Sequence, residues 1–287
     1  MKDIRPALLR TGMGCFAFTA GISLFNVLFL PYSRANYGYS AAVTLGVYAA
    51  ALCALRGAGR SIGRMEKDRA EKAARVIAPI FLAALFVVHI VMGYWMEYTP
   101  SGDNFMLYNG SQMLARDGNF DAYPDFGLYL SRFSNQWGFL LMLTALFRLL
   151  GALGVTHFFF PLVVLQAALY VLGMRSALRI ARKLEGARGE IMAMLLMAVC
   201  LPLVLAASVL YTDTFSLPFI LMALDLALCA RDAESAKGQI GYACLCGVIT
   251  LLGCQIKMTV LIALIAAVGV WLMTMKPVRA VISAVLC

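Results

Sequence analysis

Charge is what this sequence has least of. Only 14% of its 287 residues are Asp, Glu, Lys or Arg, against 62% apolar, and the mean hydropathy is +0.83. Those values exclude an ordinary soluble globular domain and make lipid the solvent in which the chain folds. Histidine is nearly absent too. His89 lies within an apolar run and His157 at the end of one, so both read as packing or interfacial residues rather than ligands or bases. Exposed cysteine is also lacking, because Cys15, Cys53, Cys200, Cys229, Cys244, Cys246 and Cys254 sit inside apolar windows and only Cys287 is ambiguous. A disulfide framework is therefore not expected. No His, Asp or Glu stands close to Cys244, Cys246 and Cys254, so these read as small packing residues and no metal site is expected. Finally, no convincing small-x-small cleavage site follows the first apolar run. With Lys2, Arg5 and Arg10 ahead of that run, the amino terminus reads as a retained signal-anchor.

What is present is a succession of apolar windows of about 20 residues, the length that crosses the hydrocarbon layer. They fall at 11–30, 38–55, 76–96, 157–174, 191–211, 214–230, 239–256 and 258–275, with a ninth starting near 280. Stopping that ninth run in mid-membrane at Cys287 would strand backbone groups in lipid. Either the tail lies in the interface or the chain is C-terminally incomplete, and the second is the expectation. The expected fold is all-α, a polytopic transmembrane bundle of about eight or nine spans with an extracytoplasmic loop containing surface-lying helices.

Basic residues fix the expected orientation, since they are retained on the cytoplasmic side. Residues 56–75 carry Arg56, Arg60, Arg64, Lys67, Arg69, Lys72 and Arg75, and residues 175–190 carry Arg175, Arg179, Arg182, Lys183 and Arg188. Both segments read as cytoplasmic loops, which requires an even number of crossings between them. Of the apolar stretches 76–96, 137–154 and 157–174, the second is short and carries Arg148, so it reads as a helix lying on the outer membrane surface. The amino terminus is then cytoplasmic, in a multi-pass protein of the cell membrane. Of the 24 basic residues, only Arg34, Arg116, Arg132, Arg148 and Lys257 fall outside. The +9 net charge is accounted for by cytoplasmic retention and anionic lipid headgroups, and it calls for no nucleic-acid partner.

The one long polar stretch, 97–136, falls outside and reverses the sign of the other loops. It holds Glu97, Asp103, Asp117, Asp121 and Asp125 against Arg116 and Arg132. From Asp103 to Leu114 the apolar spacing predicts a helix on the membrane, capped by Ser101 or Asp103. Asp117-Gly118-Asn119 and Tyr123-Pro124-Asp125 read as turns. Two more charges interrupt apolar sequence at the external ends of spans: Asp213 in Tyr211-Thr212-Asp213 and Lys257 in Gln255-Ile256-Lys257. A charge there is costly, so a functional role is the starting hypothesis. Asp225, nearer the cytoplasmic end, reads as structural.

These residues, in this order, resemble the GT-C membrane glycosyltransferases. The likeness is to the bacterial family 39-like enzymes related to protein O-mannosyltransferases and lipid A aminoarabinose transferases. The resemblance runs from about 76 to 275. It rests on Tyr98-Thr99-Pro100-Ser101-Gly102-Asp103, Asp117-Gly118-Asn119-Phe120, Tyr123-Pro124, Asn135-Gln136-Trp137-Gly138, Tyr211-Thr212-Asp213 and Gly253-x-x-x-Lys257-x-Thr259. Asn104 stands where many relatives have Glu or another acid, and the usual Pro at the start of the surface helix is missing. Residues 1–75 would be an extra N-terminal hairpin with its basic loop. Residues 76–287 would be the GT-C-like domain, with the external loop and surface helix at 97–156. The resemblance implies transfer of a sugar from a polyprenyl-phosphate donor to an acceptor hydroxyl at the outer face. Asp103 would be the general base, with Asp213 orienting its partners or holding the acceptor. Lys257, then Arg132, would bind the lipid phosphate, and Tyr108, Tyr123, Asn135 and Gln136 the sugar or acceptor. The competing readings are a transporter or flippase of lipid-linked sugars and a non-catalytic membrane fragment.

Overall fold

Lipid offers a backbone no hydrogen bonds, so apolar runs of this length fold as helices that satisfy their own peptide groups. The structure, a computed structural model, describes residues 41–96, 102–121, 123–200, 203 and 210–287. The expected span 11–30 and residue Ser101 lie outside them. Among the described residues there is helix and no strand.

The chain divides into two compact units, 1–64 and 65–287. Of the first, the described part is one helix, α1 (Ala41–Gly63). The second contains α2 (Lys67–Met96), α3 (Asp103–Arg116), α4 (Pro124–Arg132), a 3-10 turn (Ser134–Gln136) and α5 (Trp137–Ala152). These are followed by α6 (Phe159–Val199), α7 (Thr212–Asp232), α8 (Ala236–Ile256), a second 3-10 turn (Met258–Val260), α9 (Leu261–Thr274) and α10 (Pro277–Leu286). The expected domain boundary at 75/76 falls inside α2.

Among the described residues, four helices are long and apolar enough to cross a membrane: α2, α6, α7 and α8. Eight or nine such helices are not present in this part of the chain. The run 258–275 gives its first residues to a 3-10 turn, which leaves α9 with 14 residues. The windows 157–174 and 191–211 lie on either side of Gly186, where two helices join within Phe159–Val199 (α6); Tyr170 and Leu203 both reach His89, so the chain folds back at that glycine. The interval 175–190, expected to be a loop, holds that reversal at Gly186 (φ 67°), a backbone conformation open to glycine, with helix on both sides of it.

Ion pairs hold the helices on both sides of this reversal in place. Arg179 pairs with Asp225 at 3.2 Å, Lys183 with Asp232 at 3.4 Å, and Arg182 with Glu190 at 2.9 Å and with Glu71. The Arg182–Glu71 pair brings the basic start of α2 beside the Gly186 reversal of α6. Above this ionic clasp the helices α6 and α7 nearly touch: a Cβ on Gly173 would lie 2.6 Å from the Pro218 Cα. Small residues such as Ala223, Ala227, Ala243 and Cys246 line the contact of α7, α8 and α9, as expected where apolar surroundings supply no hydrophobic drive and close packing holds helices together. The large apolar residues point outward, with Val76, Ile80, Val87 and Val91 exposed along α2.

At the opposite end α3, α4 and α5 form a cap. The Ser111 hydroxyl donates to the Leu140 carbonyl at 3.0 Å, and the Arg148 guanidinium donates to the Leu114 carbonyl at 3.0 Å, one of the open acceptors at the end of α3. With the Tyr108 ring edge-on to Phe147, these two ties hold α3 against α5.

Candidate functional site

The site lies where α7 begins and α8 ends. Tyr211 precedes α7 in extended conformation and its N–H donates to the Thr214 hydroxyl at 3.2 Å, which fixes the first turn carrying Asp213. Lys257 follows α8, in extended backbone between that helix and the 3-10 turn. Because α7 and α8 form a hairpin, these two ends meet. The Lys257 ammonium donates to Asp213 Oδ1 and stands 5.6 Å from the centre of the Tyr211 ring, a cation–π distance. The pair is only partly sheltered, with Lys257 at 27% and Asp213 at 57% side-chain exposure. Asp213 is thus the partner of Lys257 rather than of Asp103.

The cap supplies the second half. Asp103 is the first residue of α3 and not its cap: Gly102, with φ 56°, holds that place and no side chain caps the helix. A carboxylate in the first turn faces the positive helix end. Across from it stands Tyr129 of α4, whose buried hydroxyl hydrogen-bonds the Asp103 carboxylate. Burial first, then the Asp103 carboxylate and the neighbouring Tyr211, push the Tyr129 phenol well above its ordinary value. Tyr129 therefore neighbours both Asp103 and the Tyr211 that Lys257 covers. The start of α5 closes the other side, because a Cβ on Gly138 would lie 2.4 Å from the Gln255 carbonyl oxygen, two residues before Lys257.

The remaining expected residues are placed less uniformly. Gln136 is in the 3-10 turn that touches α8, with its Oε1 buried and unpartnered. Asn135 and Arg132 are exposed, and Tyr123 is exposed with its ring edge-on to Phe126. Tyr108 points into the aromatic core, edge-on to Phe147 at 5.5 Å and Phe159 at 6.4 Å. Burial raises its phenol, opposed by a hydrogen bond with Gln112 and the charge of Arg116. It is a packing residue here. His89 bonds the Leu203 carbonyl at 3.1 Å and meets the Tyr170 ring, away from the site. Among the described residues no three His, Cys, Asp or Glu side chains cluster to hold a metal ion.

Tyr129 was missed in the sequence, although a signal was present. Phe126, Tyr129, Leu130 and Phe133 follow helical spacing, and Pro124, read as a turn, occupies the first helical position where proline is favoured. Asn104 was noticed only as a departure from the family pattern, yet it is 8% exposed with its Oδ1 unpartnered. No family model matches the sequence, and no curated protein or solved structure matches it either.

Proposed function

We propose that this protein transfers a sugar from a polyprenyl-phosphate donor to an acceptor hydroxyl at the outer membrane face, as a GT-C-type glycosyltransferase. The observation that carries the reading is the grouping of Asp103, Tyr129 and Tyr211 with the Lys257–Asp213 pair at one end of the apolar helices. An alcohol is a weak nucleophile near neutral pH. Asp103 takes its proton as the new bond from the acceptor oxygen to the sugar's anomeric carbon forms. The bond from that carbon to the phosphate oxygen breaks, and the electron pair leaves with the polyprenyl phosphate. Lys257 neutralises the charge that develops there. Asp213 holds Lys257 in place until the phosphate arrives and, being the more exposed partner, then turns to water.

The test is transfer of label from a radiolabelled polyprenyl-phosphate sugar in membranes carrying the chain, against Asp103→Asn. A loss of about a hundredfold or more is expected when a general base is removed; equal transfer by both refutes the assignment. A flippase of lipid-linked sugars is the second reading, favoured by one observation, the Asp225 carboxylate buried among the spans and paired with the half-exposed Arg179. It predicts movement of the labelled donor across sealed vesicles without transfer, unaffected by Asp103→Asn.

A further inference from the structure

A cysteine inside a helix bundle packs as a small apolar side chain, but a second sulfur beside it opens chemistry that one thiol lacks. Cys246 stands midway along α8, fully buried, on the same face as Gln239 two turns earlier. Cys287 follows the last turn of α10, on the face that carries Ser283. Two contacts fasten these faces together. The Gln239 amide donates to the Ser283 hydroxyl and to the Arg279 carbonyl, each at 2.9 Å. Further along, a Cβ on Gly247 would lie 3.0 Å from the Cys287 Cα, so the end of α10 rests on the α8 backbone directly beside Cys246. The Cys246 and Cys287 side chains hydrogen-bond each other, and the Ala223 carbonyl stands 3.4 Å from the Cys246 sulfur. Cys244, two positions earlier, projects from another face of the helix.

We infer that Cys246 and Cys287 are a redox-active pair, closed to a disulfide by a hydroperoxide carried on a lipid acyl chain, and that this bond locks α10 to α8. Position decides the class of oxidant. Helix α8 is long and apolar enough to cross a membrane and Cys246 is at its middle, a depth at which an acyl hydroperoxide is dissolved and a water-borne oxidant is scarce. Cys287 is the more exposed of the two, so it reacts first. Its sulfur attacks the outer peroxide oxygen and the O–O bond breaks. The departing alkoxide takes the Cys287 thiol proton and leaves as a lipid alcohol, with sulfenic acid on Cys287. The Cys246 sulfur then attacks the Cys287 sulfur. The S–S bond forms, the S–O bond breaks, and the departing hydroxide takes the Cys246 proton as water. The two thiols lose the two electrons that the hydroperoxide gains. The disulfide is uncharged, so forming it buries no charge. None of these steps involves Asp103, Asp213 or Lys257.

The test uses the full chain in phospholipid nanodiscs, reduced, freed of reductant and exposed to linoleic acid hydroperoxide. Free thiols are then blocked with N-ethylmaleimide, and the unreduced protein is digested with chymotrypsin for mass spectrometry. The main disulfide should be a peptide pair joined through Cys246 and Cys287, two hydrogens lighter than its parts and separated by dithiothreitol. Cys244→Ala should keep it. Cys246→Ala should abolish it and let dimedone trap a sulfenic acid on Cys287. Hydrogen peroxide at the same concentration should form the bond more slowly. Oxidised wild type should melt at a higher temperature than reduced, because the closed loop restricts the unfolded chain, and Cys287→Ala, which changes only a partly exposed side chain, should show no such difference. The inference is overturned if the joined pair does not form, if Cys246 joins Cys244 or Cys254 in comparable yield, or if dimedone finds no sulfenic acid on Cys287 in Cys246→Ala. It is equally overturned if hydrogen peroxide acts as fast as the lipid hydroperoxide, or if oxidation leaves the wild-type melt unchanged.

Discussion

Removing either partner of the Arg179–Asp225 ion pair should have sharply unequal effects. The carboxylate is buried, at 3% side-chain exposure, whereas the guanidinium is 46% exposed. Arg179→Met strands a buried negative charge. Breaking a buried pair in this way costs about 3–5 kcal/mol, and Lys183, whose charge also reaches Asp225, brings the expectation to the lower end, about 3 kcal/mol. Asp225→Asn leaves an arginine that turns to water, at a cost of about 1 kcal/mol for a half-exposed pair. For a chain of this size these losses translate to about 6–12 °C and about 2–4 °C in apparent midpoint. The double variant should lie above Arg179→Met, because the stranded charge is gone. The assay is thermal unfolding of the detergent-solubilised protein, followed by the loss of the monodisperse peak. Asp225→Asn at least as damaging as Arg179→Met, or a double variant worse than Arg179→Met, refutes the reasoning.

Gly138→Ala should cut transfer by about tenfold or more, since its methyl would collide with the Gln255 carbonyl beside Lys257 and small misplacements at a site are costly. Its midpoint should fall less than that of Gly173→Ala, which wedges α6 from the Pro218 backbone and should cost about 1–3 kcal/mol; the reverse order in thermal scans would contradict this. Lys257→Met should raise the KM for the lipid-phosphate donor while lowering stability by no more than about 1 kcal/mol, as befits a partly exposed pair. For Tyr129, the folded-state pKa lies above the ordinary 10.0, so the neutral phenol is the form the fold prefers. Its contribution is complete below pH 10.0 and is lost as the pH rises through the folded value. Tyr129→Phe should flatten that alkaline loss in a pH series of melts.

Helices whose burial is set by a local pattern were legible in the sequence. The predicted helix from Asp103 appears as Asp103–Arg116, and the apolar stretch 137–154 appears as Trp137–Ala152. The meeting of Asp213 with Lys257 also follows from local order, because one opens and the other closes a two-helix hairpin. What was not legible depends on partners far away in the chain. The basic run 175–190 does hold a reversal, at Gly186, but how far helix extends on either side of it depends on Glu71 and Asp225 being placed beside it. The Tyr129–Asp103 neighbourhood requires knowing that α4 folds back over the start of α3, and no spacing within the polar stretch encodes that.

The 21-residue α7 carries a charge pair at each end, Asp213 with Lys257 and Asp232 with Lys183. At 1.5 Å per residue it is about 30 Å long, the thickness of a typical hydrocarbon core. Set across a bilayer, the helix would be a gauge with one charge pair in each headgroup layer. A thicker bilayer would draw lipid tails over one of those pairs, and a thinner one would expose apolar turns to water. Because Asp213 and Lys257 mark one end of that gauge, membrane thickness bears directly on how wet the candidate site is.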